Sequence, residues 1–233
     1  NDCANNIAPT SIDLFNYAKS LSINYKISTM NQSGYRKIKK QNYECLVDIG
    51  EIGASYIAGH AHADTFNFEL YIKNKPFIVD AGLSTYNIGK QRDSERSTKA
   101  HNTVEINGQN SSEVWGGFRV ANRANIVELI EKEDSIKSTH DGYKKKFGIL
   151  HTRKWIFKED KIIIEDSLNK ECNAIARLHF YPDIRENEIR ERIILNSQFS
   201  ILTYDYSHEF NKTIKALVLE IPFKKDLKVE INI

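Results

Sequence analysis

The sequence predicts an all-β fold, an antiparallel two-sheet β-sandwich over residues 34–233, preceded by a short N-terminal helical segment. Short apolar runs, separated by turn-forming residues, recur from about residue 35 to the end of the chain. Apolar side chains occupy every second position of residues 66–72, which is the period of a half-buried strand. Long helical periodicity is absent after residue 30. Many short strands with few helices favour two sheets packed face to face.

Turn signals divide the predicted strands. Asn74, Lys75 and Pro76 separate two of them, and Asn107-Gly108 ends another. Four polar residues at 158–161 divide an apolar hairpin. In chain order, the predicted strands span residues 44–49, 66–72, 77–79, 102–106, 154–157, 162–164, 176–181, 193–195, 200–204 and 216–221.

The first 33 residues differ from the rest. Pro9, Thr10 and Ser11 can cap a helix over residues 12–21, whose apolar side chains fall on one stripe. A turn is predicted at residues 31–34. We therefore expect residues 1–33 to be a linker or the tail of an upstream domain, and residues 34–233 to form one β domain.

Composition narrows the function only modestly. The chain has 233 residues, 40% of them hydrophobic, and a net charge of +2, so there is no electrostatic case for a nucleic-acid partner. The densest basic run, residues 144–146, is interpreted as a solvated strand or loop. Cys3, Cys45 and Cys172 form no CxxC pair. Apolar runs are too short to predict a membrane span.

Histidine and aspartate are concentrated in one part of the sequence. His60, His62 and Asp64 alternate with alanines, so an extended backbone would place all three on one face. Asp80 ends an apolar run, and His101 follows at the end of a polar segment. Imidazole with carboxylate suits zinc or a similar divalent ion, and histidine also suits proton transfer near neutral pH.

Five motifs follow one another in the chain: GHAHAD at 59–64, NFEL at 67–70, VDAG at 79–82, RSTKAHNTV at 96–104 and SEVWGGFR at 112–119. Together they resemble the C-terminal domain of heparinase II/III-like polysaccharide lyases. The resemblance covers about residues 34–180 and is weaker beyond. Members of that family join an N-terminal helical toroid to a C-terminal β-sandwich, with the active site in the cleft between them.

The resemblance implies a function and a set of site residues. The function is β-elimination on a uronic-acid-containing acidic polysaccharide, of heparin, heparan or alginate type. His60 matches a histidine that lines the catalytic cleft. His62, Asp80 and His101 match the ligands of a metal, commonly a structural zinc. The family's catalytic tyrosine belongs to the toroid, so this chain is expected to be half of a periplasmic or secreted enzyme and inactive alone.

Further residues are expected to contact the substrate. An arginine fork suits a uronate carboxylate or a sulfate, and Arg96 lies five residues before His101. Tyr86 and Glu113 are expected to line a sugar subsite. Trp115 and Trp155 are both expected in the core.

Two other functions stay open at this point. One is a β-sandwich that binds or scaffolds glycan without catalysis. The other is a cupin-like metal enzyme, since cupins also carry His-x-His on a β scaffold. The cupin pattern requires a glutamate four or five residues after the second histidine and then a glycine. Here Glu69 comes seven residues after His62, and Gly82 is the next glycine.

Overall fold

Antiparallel strands form most of the computed structural model, which describes residues 9–26 and 33–233. The strands up to residue 140 are β1 (Tyr35–Lys39), β2 (Tyr43–Asp48), β3 (Phe68–Ile72), β4 (Lys75–Ile78), β5 (Val104–Ile106), β6 (Glu113–Trp115), β7 (Arg119–Ala121), β8 (Ile126–Lys132) and β9 (Ser135–His140). The later strands are β10 (His151–Phe157), β11 (Lys161–Leu168), β12 (Ala174–His179), β13 (Ile193–Leu195), β14 (Ser200–Glu209), β15 (Lys212–Phe223) and β16 (Asp226–Asn232).

Two layers of sheet enclose one core. A six-stranded sheet in the order β13-β16-β11-β10-β9-β8 forms one layer. The other combines two four-stranded sheets, β1-β2-β3-β4 and β14-β15-β12-β5, which a bridge between Ile78 and Phe180 connects. Buried side chains from both layers form one continuous cluster. The predicted antiparallel sandwich is confirmed, and β6 and β7 form a separate small hairpin.

The core follows from the strand patterns. Residues of β10 alternate between buried and half-buried, and the paired β11 has three consecutive buried isoleucines at 162–164. Trp155 is fully buried, as predicted, and its ring lies 5.5 Å from that of Phe66. Phe66 has a φ of 71°, a strained value for a bulky residue, at the point where the loop before β3 meets the core.

Helices are short. They are α1 (Ser11–Ser20), α2 (Lys90–Glu95), α3 (Lys144–Phe147) and α4 (Glu186–Arg192), with a 3₁₀ turn at Thr98–Ala100. The predicted N-terminal helix is confirmed, and Thr10 with Asp13 forms its capping box. Three further short helices, α2 to α4, lie between strands, and they were not predicted from the sequence. Among the described residues, no helix is long and apolar enough to span a membrane.

Two sequence expectations near the N terminus fall partly outside the described residues. Residues 1–8 and 27–32 are not described, so only the last part of the turn predicted at 31–34 can be compared. The domain boundary at residue 33 stays a prediction. The lysines at 144–146, expected in a strand or loop, lie in α3 instead.

Candidate functional site

Three of the polar residues singled out in the sequence lie together in a partly buried cluster. One nitrogen each from His62 and His101 and one carboxylate oxygen of Asp64 lie within 4.8 Å of one another. The two imidazoles are buried and Asp64 is half-buried. We call these three residues the site triad.

A loop, and not a strand, carries the first two members of the site triad. Residues 59–67 contain turns and irregular backbone, so the condition for a shared strand face, an extended backbone at His60, His62 and Asp64, is not met along this segment. Two hydrogen bonds hold the loop against the segment at residues 96–98. The N–H of Ala63 donates to the carbonyl of Arg96 at 2.9 Å, and the Thr98 hydroxyl donates to the carbonyl of Ala63 at 2.8 Å. The segment around the 3₁₀ turn therefore sets the positions of His62 and Asp64.

Asp80 lies beside His101. Its Oδ2 is 2.7 Å from Nδ1 of His101 and accepts a hydrogen bond from the Asn67 amide at 2.7 Å. Its Oδ1 accepts from the N–H of Gly82 at 3.0 Å. Burial opposes ionisation of Asp80, but the charge and hydrogen bond of His101 outweigh it and hold the pKa of this carboxyl well below its usual range. Asp80 thus supplies a fixed negative charge at the base of the site.

The loop after Asp80 explains the glycine of the VDAG motif. Gly82 has a φ of 77°, and a Cβ at this position would lie 1.9 Å from the carbonyl oxygen of Ser207. A glycine is therefore required where the chain leaves Asp80 and passes β14.

The donor set fits a divalent cation. Nε2 of His101 is buried and makes no hydrogen bond with the described residues. The carboxylates of Asp48 and Asp64 also interact with each other near this site. Burial, and then the charge of Asp64, raise the pKa of Asp48 to about 7. A cation would relieve both features, since it takes an imidazole nitrogen as ligand and offsets the carboxylate charge.

Comparison with known proteins identifies the family. A family model described as Heparinase II/III-like, C-terminal matches residues 23–217. The chain belongs to this family. A search of curated proteins gave no match.

Solved structures share the fold of this heparinase II/III-like C-terminal domain. Heparan sulfate lyase HepC from Pedobacter heparinus aligns with a TM-score of 0.68 at 16% identity, over 95% of this chain and 41% of that one. A mutant of HepC aligns at 0.64 and 17%, over 90% and 36%. A crystal structure of heparinase III aligns at 0.59 and 12%, over 95% and 42%. The chain thus spans about two fifths of the length of these structures.

In this heparinase II/III-like domain, His60 lies outside the site triad. It is exposed, and its ring contacts Tyr86 edge-on at a centroid distance of 5.7 Å and Phe118 at 6.2 Å. The guanidinium of Arg92 lies 4.7 Å from the Tyr86 ring and 4.5 Å from the Phe118 ring. Arg92 is fully buried, and its Nε donates to the carbonyl of Gly117 at 2.6 Å. His60 therefore stands against a supported aromatic surface that faces solvent.

The remaining predicted substrate residues lie in different surroundings. Arg96 is fully buried, and its Nε and Nη2 donate to the carbonyl of Ala61 at 3.0 and 2.8 Å. It holds the backbone between His60 and His62, a buried position and not the substrate-facing one expected from the sequence. Glu113 is half-buried on β6 and forms an ion pair with Lys146 at 3.3 Å. Trp115 was expected in the core but is 42% exposed.

A buried ionic network beneath the site was not anticipated from the sequence. Asp166 accepts two hydrogen bonds from Arg153, from Nε at 2.7 Å and from Nη2 at 2.9 Å. Asp166 also pairs with Nε2 of His151 at 2.7 Å, and Nδ1 of His151 lies 3.0 Å from Nε2 of His140. Burial lowers the pKa of both histidines, so the network contains neutral imidazoles.

Arg153 connects this network to the site. Its Nη1 donates to the carbonyl of Phe66 at 3.0 Å and to that of Asn102 at 2.6 Å. Phe66 follows Asp64 by two residues, and Asn102 directly follows His101. The six-stranded sheet thus holds both segments that carry the site triad.

Proposed function

We propose that this chain is the C-terminal part of a lyase that cleaves an acidic, uronic-acid-containing polysaccharide by β-elimination. The observation that carries the proposal is the position of His60, exposed against Tyr86 and Phe118 and two residues from the buried site triad. Family membership supports it. We also propose that the polymer is of heparin, heparan or alginate type. The protein would be periplasmic or secreted, where it would meet such a polymer.

The chemistry requires a base, charge stabilisation and an acid. The proton on C5 of a uronate is weakly acidic, and its removal gives the neighbouring carboxylate enolate character. The departing O4 must then receive a proton. In this proposal the His60 imidazole acts in the cleft as the base or as the group that neutralises the carboxylate. Tyr86 packs against the sugar, and a group from an N-terminal domain completes the acid–base pair.

The proposal includes a structural metal, most simply zinc, held by His62, His101 and a carboxylate. Asp80 and Asp64 are the two candidates for the carboxylate. Asp80 matches the family pattern, whereas the oxygen of Asp64 approaches both imidazoles. Such an ion would tie the loop at 59–67 to the segment ending at His101 and so fix the direction of His60.

Replacing each carboxylate in turn is expected to show which one is a metal ligand and which one only orients a ligand. Loss of a ligand should weaken zinc binding far more than the roughly 10- to 100-fold typical of an outer partner that only orients a ligand. We expect Asp80→Asn to show the larger loss and Asp64→Asn the smaller one, with His101→Ala as the reference for a lost ligand. The measurements are zinc competition titration and the melting temperature with and without zinc, because binding to the folded state alone stabilises it. The opposite order would assign the ligand role to Asp64, and zinc affinity unchanged in all three variants would exclude the site.

The reaction itself is tested with the gene product that contains this chain. Heparan sulfate and alginate are each incubated with the protein, and the ultraviolet absorbance of the unsaturated uronate product is followed. We expect product from at least one of these polymers and little or none from residues 1–233 alone. Binding of both polymers without any product would instead support a non-catalytic glycan-binding domain, which the partial coverage of the lyase structures keeps as the second candidate.

A further inference from the structure

Two adjoining cavities lie beside the β6–β7 hairpin, and no member of the site triad lines them. Their volumes are about 650 and 350 Å³, and they share Asn110, Glu113 and Lys146 in their walls. Together they form one open groove along β6, within the size range of ligand sites in proteins. We call it the β6 groove.

The wall of the larger cavity is polar and cationic. Helix α3 contributes Lys144, Lys145 and Lys146, and Arg123 faces it from the segment after β7. Two carboxylates, Glu113 and Asp141, line the same cavity, so cations outnumber anions by four to two.

Local hydrogen bonds hold part of this wall in place. Lys145 donates to the Asn122 side chain at 2.6 Å, and Lys146 pairs with Glu113 at 3.3 Å. Nη1 of Arg123 donates to the carbonyl of Ala54 at 2.9 Å. The groove is therefore built from side chains with defined directions, and its amide and ammonium groups can donate to an anionic ligand.

An exposed tryptophan closes the other end. Trp115 lines the smaller cavity together with Lys146 and is 42% exposed. It pairs with Arg119 across the hairpin, and the turn between them carries Phe118, which contacts His60. The same hairpin thus connects the β6 groove with the aromatic surface at His60.

We propose that the β6 groove binds a further anionic sugar residue of the polysaccharide, with the ring against Trp115 and the carboxylate or sulfate on the lysines of α3. This inference rests on the acidic-polysaccharide substrate proposed above and adds a subsite to it. Glu113 would then orient Lys146 and accept a hydrogen bond from a sugar hydroxyl. Its sugar contact would be in the β6 groove and not next to His60.

Binding to the purified chain tests the proposal without any need for catalysis. The probes are a heparin hexasaccharide, an alginate hexasaccharide and neutral cellohexaose, titrated calorimetrically at low salt. We expect K144Q/K145Q to weaken binding of an anionic probe about tenfold or more, the scale of a lost charge-assisted hydrogen bond. Trp115→Ala should weaken it about three- to tenfold. Alginate carries carboxylates alone and heparin carries carboxylates and sulfates, so binding of heparin only would assign the sulfate, and binding of alginate would show that a carboxylate suffices.

A matched control removes the same charge elsewhere. K212Q/K215Q neutralises two exposed lysines of β15, and binding should stay within about twofold of wild type. Equal weakening by both double variants, equal binding of cellohexaose, or no binding by the wild-type chain would overturn the proposal. If the gene product that contains this chain performs elimination but no sugar binds in the β6 groove, only the subsite proposal is refuted. If sugar binds in the groove but no elimination occurs, the lyase proposal is refuted and the subsite remains.

Discussion

In the lyase proposed to contain this chain, replacement of His60 by alanine is expected to lower turnover at least roughly a hundredfold, the usual contribution of one general acid or base. The side chain is exposed and lies outside the site triad, so its loss removes a proton-transferring or charge-neutralising group without removing a ligand. Zinc content and melting temperature should therefore stay at wild-type values. The checks are initial rates of unsaturated-product formation and metal analysis of the same preparation.

A second histidine provides the matched control for His60. His208 is half-buried on β14 and contacts Tyr206, an aromatic residue to which the proposed reaction assigns no role. His208→Ala should keep the rate within about twofold of wild type. Near wild-type turnover in His60→Ala would show that this histidine has only a structural role.

Replacement of Arg153 by methionine is expected to lower the free energy of unfolding by about 3–5 kcal/mol. The variant would leave Asp166 as a buried charge without its bidentate partner, and it would remove the donor to the carbonyls of Phe66 and Asn102. That loss is a large share of the stability of a typical domain. Urea unfolding, with the midpoint and slope fitted separately, measures it.

Arg36 is the matched control for Arg153. It also makes a bidentate ion pair, with Glu131 at 2.6 and 3.1 Å, but the two side chains are 22% and 41% exposed. Solvent screens this pair, so Arg36→Met should cost about 1 kcal/mol or less. The double variant R153M/D166L should recover part of the loss, because it removes the unpaired charge. Equal costs for Arg153→Met and Arg36→Met would show that the buried network does not support the fold.

The buried network also explains why the site segments keep their shape. Phe66 adopts a φ of 71°, and such strain persists only where the surroundings hold it. Its carbonyl accepts from Arg153, its N–H donates to the carbonyl of Asp48 at 3.1 Å, and its ring packs against His140, His151 and Trp155. A change at Arg153 should therefore loosen the loop that carries Asp64.

Strand positions could be predicted where one face of the strand is buried. The hairpin of β10 and β11 and the strand β3 show the alternation or the apolar runs that burial requires. Strands β8 and β9 were not predicted. The apolar residues of β8 (Ile126, Val127, Leu129 and Ile130) do not alternate with period two, and every residue of the strand is exposed or half-buried, so the pattern of a half-buried strand is absent. Pairing with β9 places β8 at the edge of the six-stranded sheet.

The sequence by itself determined the fold class, the family motifs and the polar residues from which the site is built, because periodicity and residue type are local properties. Only the tertiary structure decided which of these polar residues lie together and which lie apart. It placed Asp64 with the two imidazoles, Asp80 against His101, Arg96 beneath the loop, and Glu113 with Trp115 in a separate groove. The buried network of Arg153, Asp166, His151 and His140 comes from three strands and forms only when these strands pair. Distances between segments depend on sheet pairing and layer packing, which no short stretch of sequence encodes.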